Sequence, residues 1–143
     1  MFGIATNQGL IKNAGTITVT DNNPRDNSGM IANANSGTIN INGAFTSSGT
    51  INNAGMINSN SRSFTNSNLI INSGTLVNKG SLTNTGTITN SGSISNDQGS
   101  IRNQGTLNSS GSITTSGNIS NESTMTNTGT ITTQIQDKNN AGI

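Results

Sequence analysis

A chain of 143 residues that is 27% hydrophobic and 8% charged, with a formal net charge of +1, has too few apolar residues for the core of one compact globule. Its charge balance makes no electrostatic footprint for nucleic acid or an anionic membrane, and without Tyr or Trp it has no platform for base stacking. Cysteine is absent, so disulfides contribute nothing, and no run approaches the roughly 20 apolar residues of a membrane-spanning helix.

Asn occurs 27 times and Gly 18 times. Such a polar chain either stays disordered or forms a repeat fold with a thin, linear core. The spacing of its apolar residues selects the repeat.

At the start, Met1-Phe2-Gly3-Ile4 lacks the basic and apolar regions of a signal peptide, so export would need a removed leader or an omitted segment. Ile11 and Ile17 already stand six residues apart. The stretch 20–28 then interrupts the pattern and reads as a loop bulging from one corner. It holds the only proline, which cannot join an interior ladder. Asp21 and Asp26, with Asn22, Asn23 and Asn27, make it the one oxygen-rich segment. Calcium favours oxygen ligands, but the spacing matches neither an EF-hand nor a Gly-rich calcium roll. A solvated loop is the expected role, with calcium at 21–27 the lesser reading.

From 29 to 133 the unit Gly-Thr/Ser-Ile-x-Asn-x repeats. Thr87-Ile88-Thr89 shows the logic: a short β run with its centre pointing inward and its flanks outward. Asn-x-Gly, as at Asn84 to Gly86, reads as a turn, because Asn and Gly adopt positive φ at little cost. Asn66, Asn103, Gly74 and Gly92 take the same corner positions. A six-residue period smears apolar residues around a helical wheel, which excludes an α-helix.

Within the apolar series that starts at Ile39, two spacings depart from six. Ile57 to Phe64 and Ile94 to Ile101 are both seven residues, and the two breaks lie 37 residues apart. A tandem unit of 37 residues with six short strands follows, hence coils of 18 and 19 residues with three strands each. Three ladders are then expected. The first is Ile39, Ile57, Leu76, Ile94, Ile113 and Ile131. The second is Phe45, Phe64, Leu82, Ile101 and Ile119. The third is Ile51, Ile70, Ile88, Leu107 and Met125. Two Phe residues fall in one ladder, as stacking between coils favours. A flattened roll of two strands per 12-residue coil is the competing arrangement. Asn side chains are expected to form ladders at the corners. The longer corners at 58–63 and 95–100 are expected on the same edge as the loop at 20–28.

The tail from Gln134 leaves the pattern. Its last residues, Ala141-Gly142-Ile143, nearly restore Gly-x-Ile. Neither end reads as a polar cap, so Phe2, Ile4 and Ile143 are the expected contacts of a head-to-tail homopolymer.

The chemistry-bearing residues are sparse. There is no His and no Cys, and Lys12, Lys79 and Lys138 stand in no unusual context for activating a Ser or Thr nucleophile. No phosphate-binding glycine motif is present. No catalytic, metal or cofactor residues are expected, and the chain reads as non-enzymatic. Thr87/Thr89 and Thr124/Thr126 share one ladder face, but Leu69/Ile71 interrupt it, so ice binding is a minor reading.

The segment Leu76-Val-Asn-Lys-Gly-Ser-Leu-Thr-Asn-Thr-Gly-Thr-Ile-Thr-Asn-Ser-Gly-Ser-Ile-Ser-Asn resembles the repeat of filamentous-haemagglutinin-like and autotransporter passenger β-helices of bacterial surface exoproteins. The resemblance spans about residues 29–133. It implies a right-handed parallel β-helix in an extracellular or cell-surface adhesin or stalk. The hexad also resembles the left-handed β-helix of acyltransferases, which gives an alternative handedness. The His-dependent activity of those enzymes has no residue here to carry it. The resulting expectation is an all-β parallel solenoid acting as a structural, end-to-end subunit. An adhesin fragment binding host or surface glycans is the alternative, with no nucleic-acid partner and no membrane insertion.

Overall fold

The computed structural model describes residues 6–20, 25–60 and 63–134. The expected assembly ends Phe2, Ile4 and Ile143, and residues 21–24 of the expected loop, lie outside the described residues.

Each hexad forms one strand and one corner. The first coil holds Thr6–Asn7 (β1), Leu10–Asn13 (β2) and Thr16–Val19 (β3), and the second Arg25–Asn27 (β4), Met30–Asn33 (β5) and Thr38–Ile41 (β6). The third holds Phe45–Ser47 (β7), Thr50–Asn53 (β8) and Met56–Ser59 (β9), and the fourth Phe64–Asn66 (β10), Leu69–Asn72 (β11) and Thr75–Asn78 (β12). The fifth holds Ser81–Asn84 (β13), Thr87–Asn90 (β14) and Ser93–Asn96 (β15), and the sixth Ser100–Asn103 (β16), Thr106–Ser109 (β17) and Ser112–Thr115 (β18). Asn118–Asn121 (β19), Thr124–Asn127 (β20) and Thr130–Thr133 (β21) complete the seventh.

Every strand pairs in parallel with the one three further on, giving three seven-stranded sheets. This is a parallel β-solenoid with three strands per coil, and the flattened two-strand roll is excluded. Six steps of about 4.8 Å make the described stack roughly 30 Å long. The first sheet starts at β1, the second at β2 and the third at β3.

The register reproduces the three expected ladders. Ile39, Ile57, Leu76, Ile94, Ile113 and Ile131 are successive partners. Phe45, Phe64, Leu82, Ile101 and Ile119 form the second series, and Ile51, Ile70, Ile88, Leu107 and Met125 the third. Most of these side chains are fully buried, whereas Ile119 and Met125 are partly buried and Ile131 is exposed. The Phe45 and Phe64 rings stack with centroids 5.6 Å apart, tilted by 38°.

Two expectations about the corners change. Arg25–Asn27 is a strand rather than part of a loop, with Arg25 opposite Phe45 and Asn27 opposite Ser47. Pairing resumes there because Asp26 and Asn27 restore the out–in alternation, and the buried Asn27 amide finds partners in Asn7 and Ser47. The Asn of each unit is likewise the last strand residue, pointing inward, rather than part of an exposed turn.

Three of the four irregular connections, β3 to β4, β9 to β10 and β15 to β16, join the third sheet to the first, so they share one edge as expected, whereas the fourth, between β5 and β6, joins the second sheet to the third through a turn closed by the Gly37 amide on the Ala34 carbonyl. Between β15 and β16 Gln98 adopts φ 59°, the one positive φ among the described residues. That residue absorbs the extra position between Ile94 and Ile101.

Candidate functional site

The features that define this protein run along the coil axis. At each corner an inward-pointing Asn carries a primary amide, which has two donors and an acceptor that bury at a cost unless bonded. Stacking solves this. Asn72 Nδ2 donates to Asn90 Oδ1 in the next coil at 2.7 Å, to its own Gly74 carbonyl at 3.2 Å and to the Ser93 carbonyl at 3.0 Å. The same set recurs for Asn66 with Asn84, Asn84 with Asn103, and Asn78 with Asn96. Each amide therefore ties one coil to the next and closes its own turn.

The ladders falter where Ser replaces Asn. Ser47 accepts from Asn27 Nδ2 at 3.1 Å, but the next amide oxygen, Asn66 Oδ1, has no partner. Ser59 Oγ and Asn78 Oδ1 are both unpartnered, as is Asn127 Oδ1 above Ser109. The hydroxyl of Ser is too short to reach the next layer.

The corner glycines serve a different purpose from the one expected. No described glycine has positive φ. A Cβ on Gly86 would instead lie 2.2 Å from the Asn68 carbonyl oxygen, and one on Gly74 would lie 2.1 Å from that of Gly55. Gly92 is in the same position over Gly74. The coils stack so closely at the corners that only hydrogen fits there.

The outer faces are plain. On the second sheet the outward pairs run Leu10/Lys12, Met30/Ala32, Thr50/Asn52, Leu69/Ile71, Thr87/Thr89, Thr106/Asn108 and Thr124/Thr126. The Thr columns are broken at Leu69/Ile71, and the early half of the face is largely apolar. Beside it lies a shallow open trough of about 290 Å³ lined by Lys12, Ala14, Ala32, Ala34, Asn52 and Ala54.

Among the described residues no three His, Cys, Asp or Glu side chains come together as a metal site, and Asp26 accepts a hydrogen bond from Ser48 Oγ at 3.2 Å. Arg102 donates to Glu122 through Nε at 2.5 Å and Nη2 at 2.9 Å across successive coils. That hydrogen bonding holds the Glu122 carboxyl below its ordinary value, against an opposing desolvation effect. The pair is exposed and joins coils without forming a pocket.

Sequence reasoning placed the ladders and the Asn stacks. It missed Ile31 in the second sheet, although Gly29-Met30-Ile31 follows the unit, and it missed Val19 and Ile41, which occupy corner positions taken by Asn elsewhere. The buried Ser47, Ser59, Ser109 and Thr115 were legible only once the corner column was known to face inward.

Fold and corner chemistry together define a parallel β-solenoid with Asn-laddered corners. Comparison of the chain with protein-family models, curated proteins and solved structures finds no match.

Proposed function

We propose that this chain is a non-enzymatic structural subunit that stacks end to end into an extracellular filament or stalk. The observation carrying this reading is the seventh coil. Ile131 is 46% exposed, whereas its partner Ile113, one layer further in, is 1% exposed. Among the described residues, β19, β20 and β21 each pair along one edge only. An unpaired strand edge above a half-exposed core ladder is a template for another coil. A head-to-tail contact of this kind does not close, so it grows a fibre. The net charge of +1 gives little repulsion between copies. The extracellular setting rests on the resemblance of 76–96 to surface exoprotein repeats.

Light scattering and negative-stain microscopy of the untagged protein test this. Mass that rises with concentration, with thin rods in the images, is the expected result. A monomer that persists at high concentration would overturn it. A second reading, an adhesin fragment that binds glycans, is favoured by the gathering of three of the four irregular connections on one edge. Binding to a glycan array by protein that stays monomeric would select it.

A further inference from the structure

The end-to-end contact proposed above, on which this inference rests, has one register. We infer that β19, β20 and β21 of one copy receive β1, β2 and β3 of the next, with Asn121 donating to Asn7 of the next copy and Asn127 donating to Asn13 of the next copy.

The corner amides all point the same way. Nδ2 faces the later coil and Oδ1 the earlier one, from Asn7 and Asn27 through to Asn103 and Asn121. The two ends of the stack are therefore chemically opposite. Asn103 Nδ2 bonds its own Gly105 carbonyl, the Asn121 amide oxygen and the Thr124 carbonyl. Among the described residues Asn121 Nδ2 donates only to the Ser123 carbonyl, and Asn127 Nδ2 only to that of Gly129. Each amide thus keeps one N–H for a further layer. At the other end Asn7 Oδ1 accepts from the Gly9 amide and Asn13 Oδ1 from the Gly15 amide, each with a second lone pair left. Donors at one end face acceptors at the other, whereas head-to-head stacking sets acceptor against acceptor.

The corner residues also choose among the three rotations that a three-sided coil permits. The first coil presents Asn7, Asn13 and Val19, and the last presents Asn121, Asn127 and Thr133. In the inferred register both Asn pairs form and Thr133 meets Val19. A corner Thr satisfies itself locally, as Thr115 Oγ1 does by donating to the Gly117 carbonyl at 3.0 Å. Either other rotation sets an Asn amide on Val19 and strands its N–H, the costlier mismatch. In the inferred register Met125 also covers Ile11 and Ile131 covers Ile17, continuing two ladders through the junction.

The chain has no cysteine, so introduced pairs report the register directly. Leu10 and Thr124 occupy the same outward column of the second sheet. Stacked strands bring such positions within the roughly 4.4–6.8 Å that a disulfide spans. Leu10→Cys protein is mixed in turn with Thr124→Cys, Asn118→Cys and Thr130→Cys protein under mild oxidation, with microscopy in parallel. Cross-linked dimers are expected with Thr124→Cys at about ten times the yield of the other two, the contrast a preference near 1.4 kcal/mol gives. Leu10→Cys alone should not dimerise. Rods whose cross-links favour Asn118→Cys or Thr130→Cys, or that form none, would overturn the register while leaving stacking intact. Monomers without rods would overturn both. Combining Asn121→Ala with Asn127→Ala at these exposed or half-exposed positions should raise the concentration needed for assembly about tenfold in a monomer that loses the Asn103–Asn121 bond but keeps its β circular-dichroism signal. An unchanged threshold would remove the amides from the contact.

Discussion

Asn84 and Asn103 sit one above the other in successive coils, with Asn84 Nδ2 donating to Asn103 Oδ1 at 2.7 Å and both side chains buried. Asn66 completes the column from the other side by donating to Asn84 Oδ1 at 2.7 Å. Replacing Asn84 by Ala takes the 2.7 Å amide acceptor from Asn66 Nδ2, which keeps the Thr87 carbonyl at 3.0 Å, and leaves Asn103 Oδ1 without its donor. The expected loss is about 2–4 kcal/mol of unfolding free energy in urea titration, since each stranded buried group costs about 1–3 kcal/mol. A change under about 0.5 kcal/mol, the scatter of surface substitutions, would show the ladder to be energetically idle.

The broken ladders offer the opposite experiment. Ser47 lies between Asn27 and Asn66, and Asn66 Oδ1 has no partner. Ser47→Asn restores a donor for that oxygen in a site where neighbouring coils already stack Asn on Asn. Stability should rise by about 1 kcal/mol, the net worth of one hydrogen bond. Destabilisation on urea titration would mean that the corner around Ser47 has closed too tightly to admit the amide.

Two glycines separate close approach from backbone conformation. A Cβ on Gly86 meets the Asn68 carbonyl oxygen at 2.2 Å, whereas one on Gly15 meets nothing within 4 Å. Neither glycine has positive φ. In the monomer, Gly86→Ala should cost about 2 kcal/mol or more through forced separation of the coils, and Gly15→Ala should be neutral or slightly stabilising. Equal effects at both sites, measured by thermal unfolding, would refute the steric account.

Ile88 is 1% exposed, between Ile70 and Leu107 in its ladder. Ile88→Asp puts an unpaired carboxylate into a core one side chain wide. Loss of about 4 kcal/mol or more is expected, enough to abolish the β circular-dichroism signal. A folded variant would place the ladder wrongly.

The Glu122 carboxyl is held below its ordinary value, first through its hydrogen bond to Arg102. A depressed carboxyl contributes stability above its unfolded value of 4.5, and that contribution disappears as pH falls through the lower folded value. The pair is exposed, so the effect is small. The urea midpoint should stay level from pH 7 to 5 and drop below 4.5, less so in Glu122→Gln. Identical acid limbs would show that the ion pair contributes nothing.

The sequence by itself determined the ladders. Alternation within Thr87-Ile88-Thr89 sets which side chain faces inward, and the seven-residue steps at Ile57–Phe64 and Ile94–Ile101 set a 37-residue unit of six strands, which favours three strands to a coil but leaves two as a competitor. Both are one-dimensional properties of spacing, so they are legible without coordinates. Only the tertiary structure decided that Asn84 points into the interior, that Gly86 is glycine because Asn68 crosses above it, and that Arg25–Asn27 rejoins the sheet. Those outcomes depend on atoms brought together from residues about 18–22 positions apart, at a stacking distance near 4.8 Å. A local pattern gives the period of a repeat, but the gap between its layers is set by the packing of one coil upon the next.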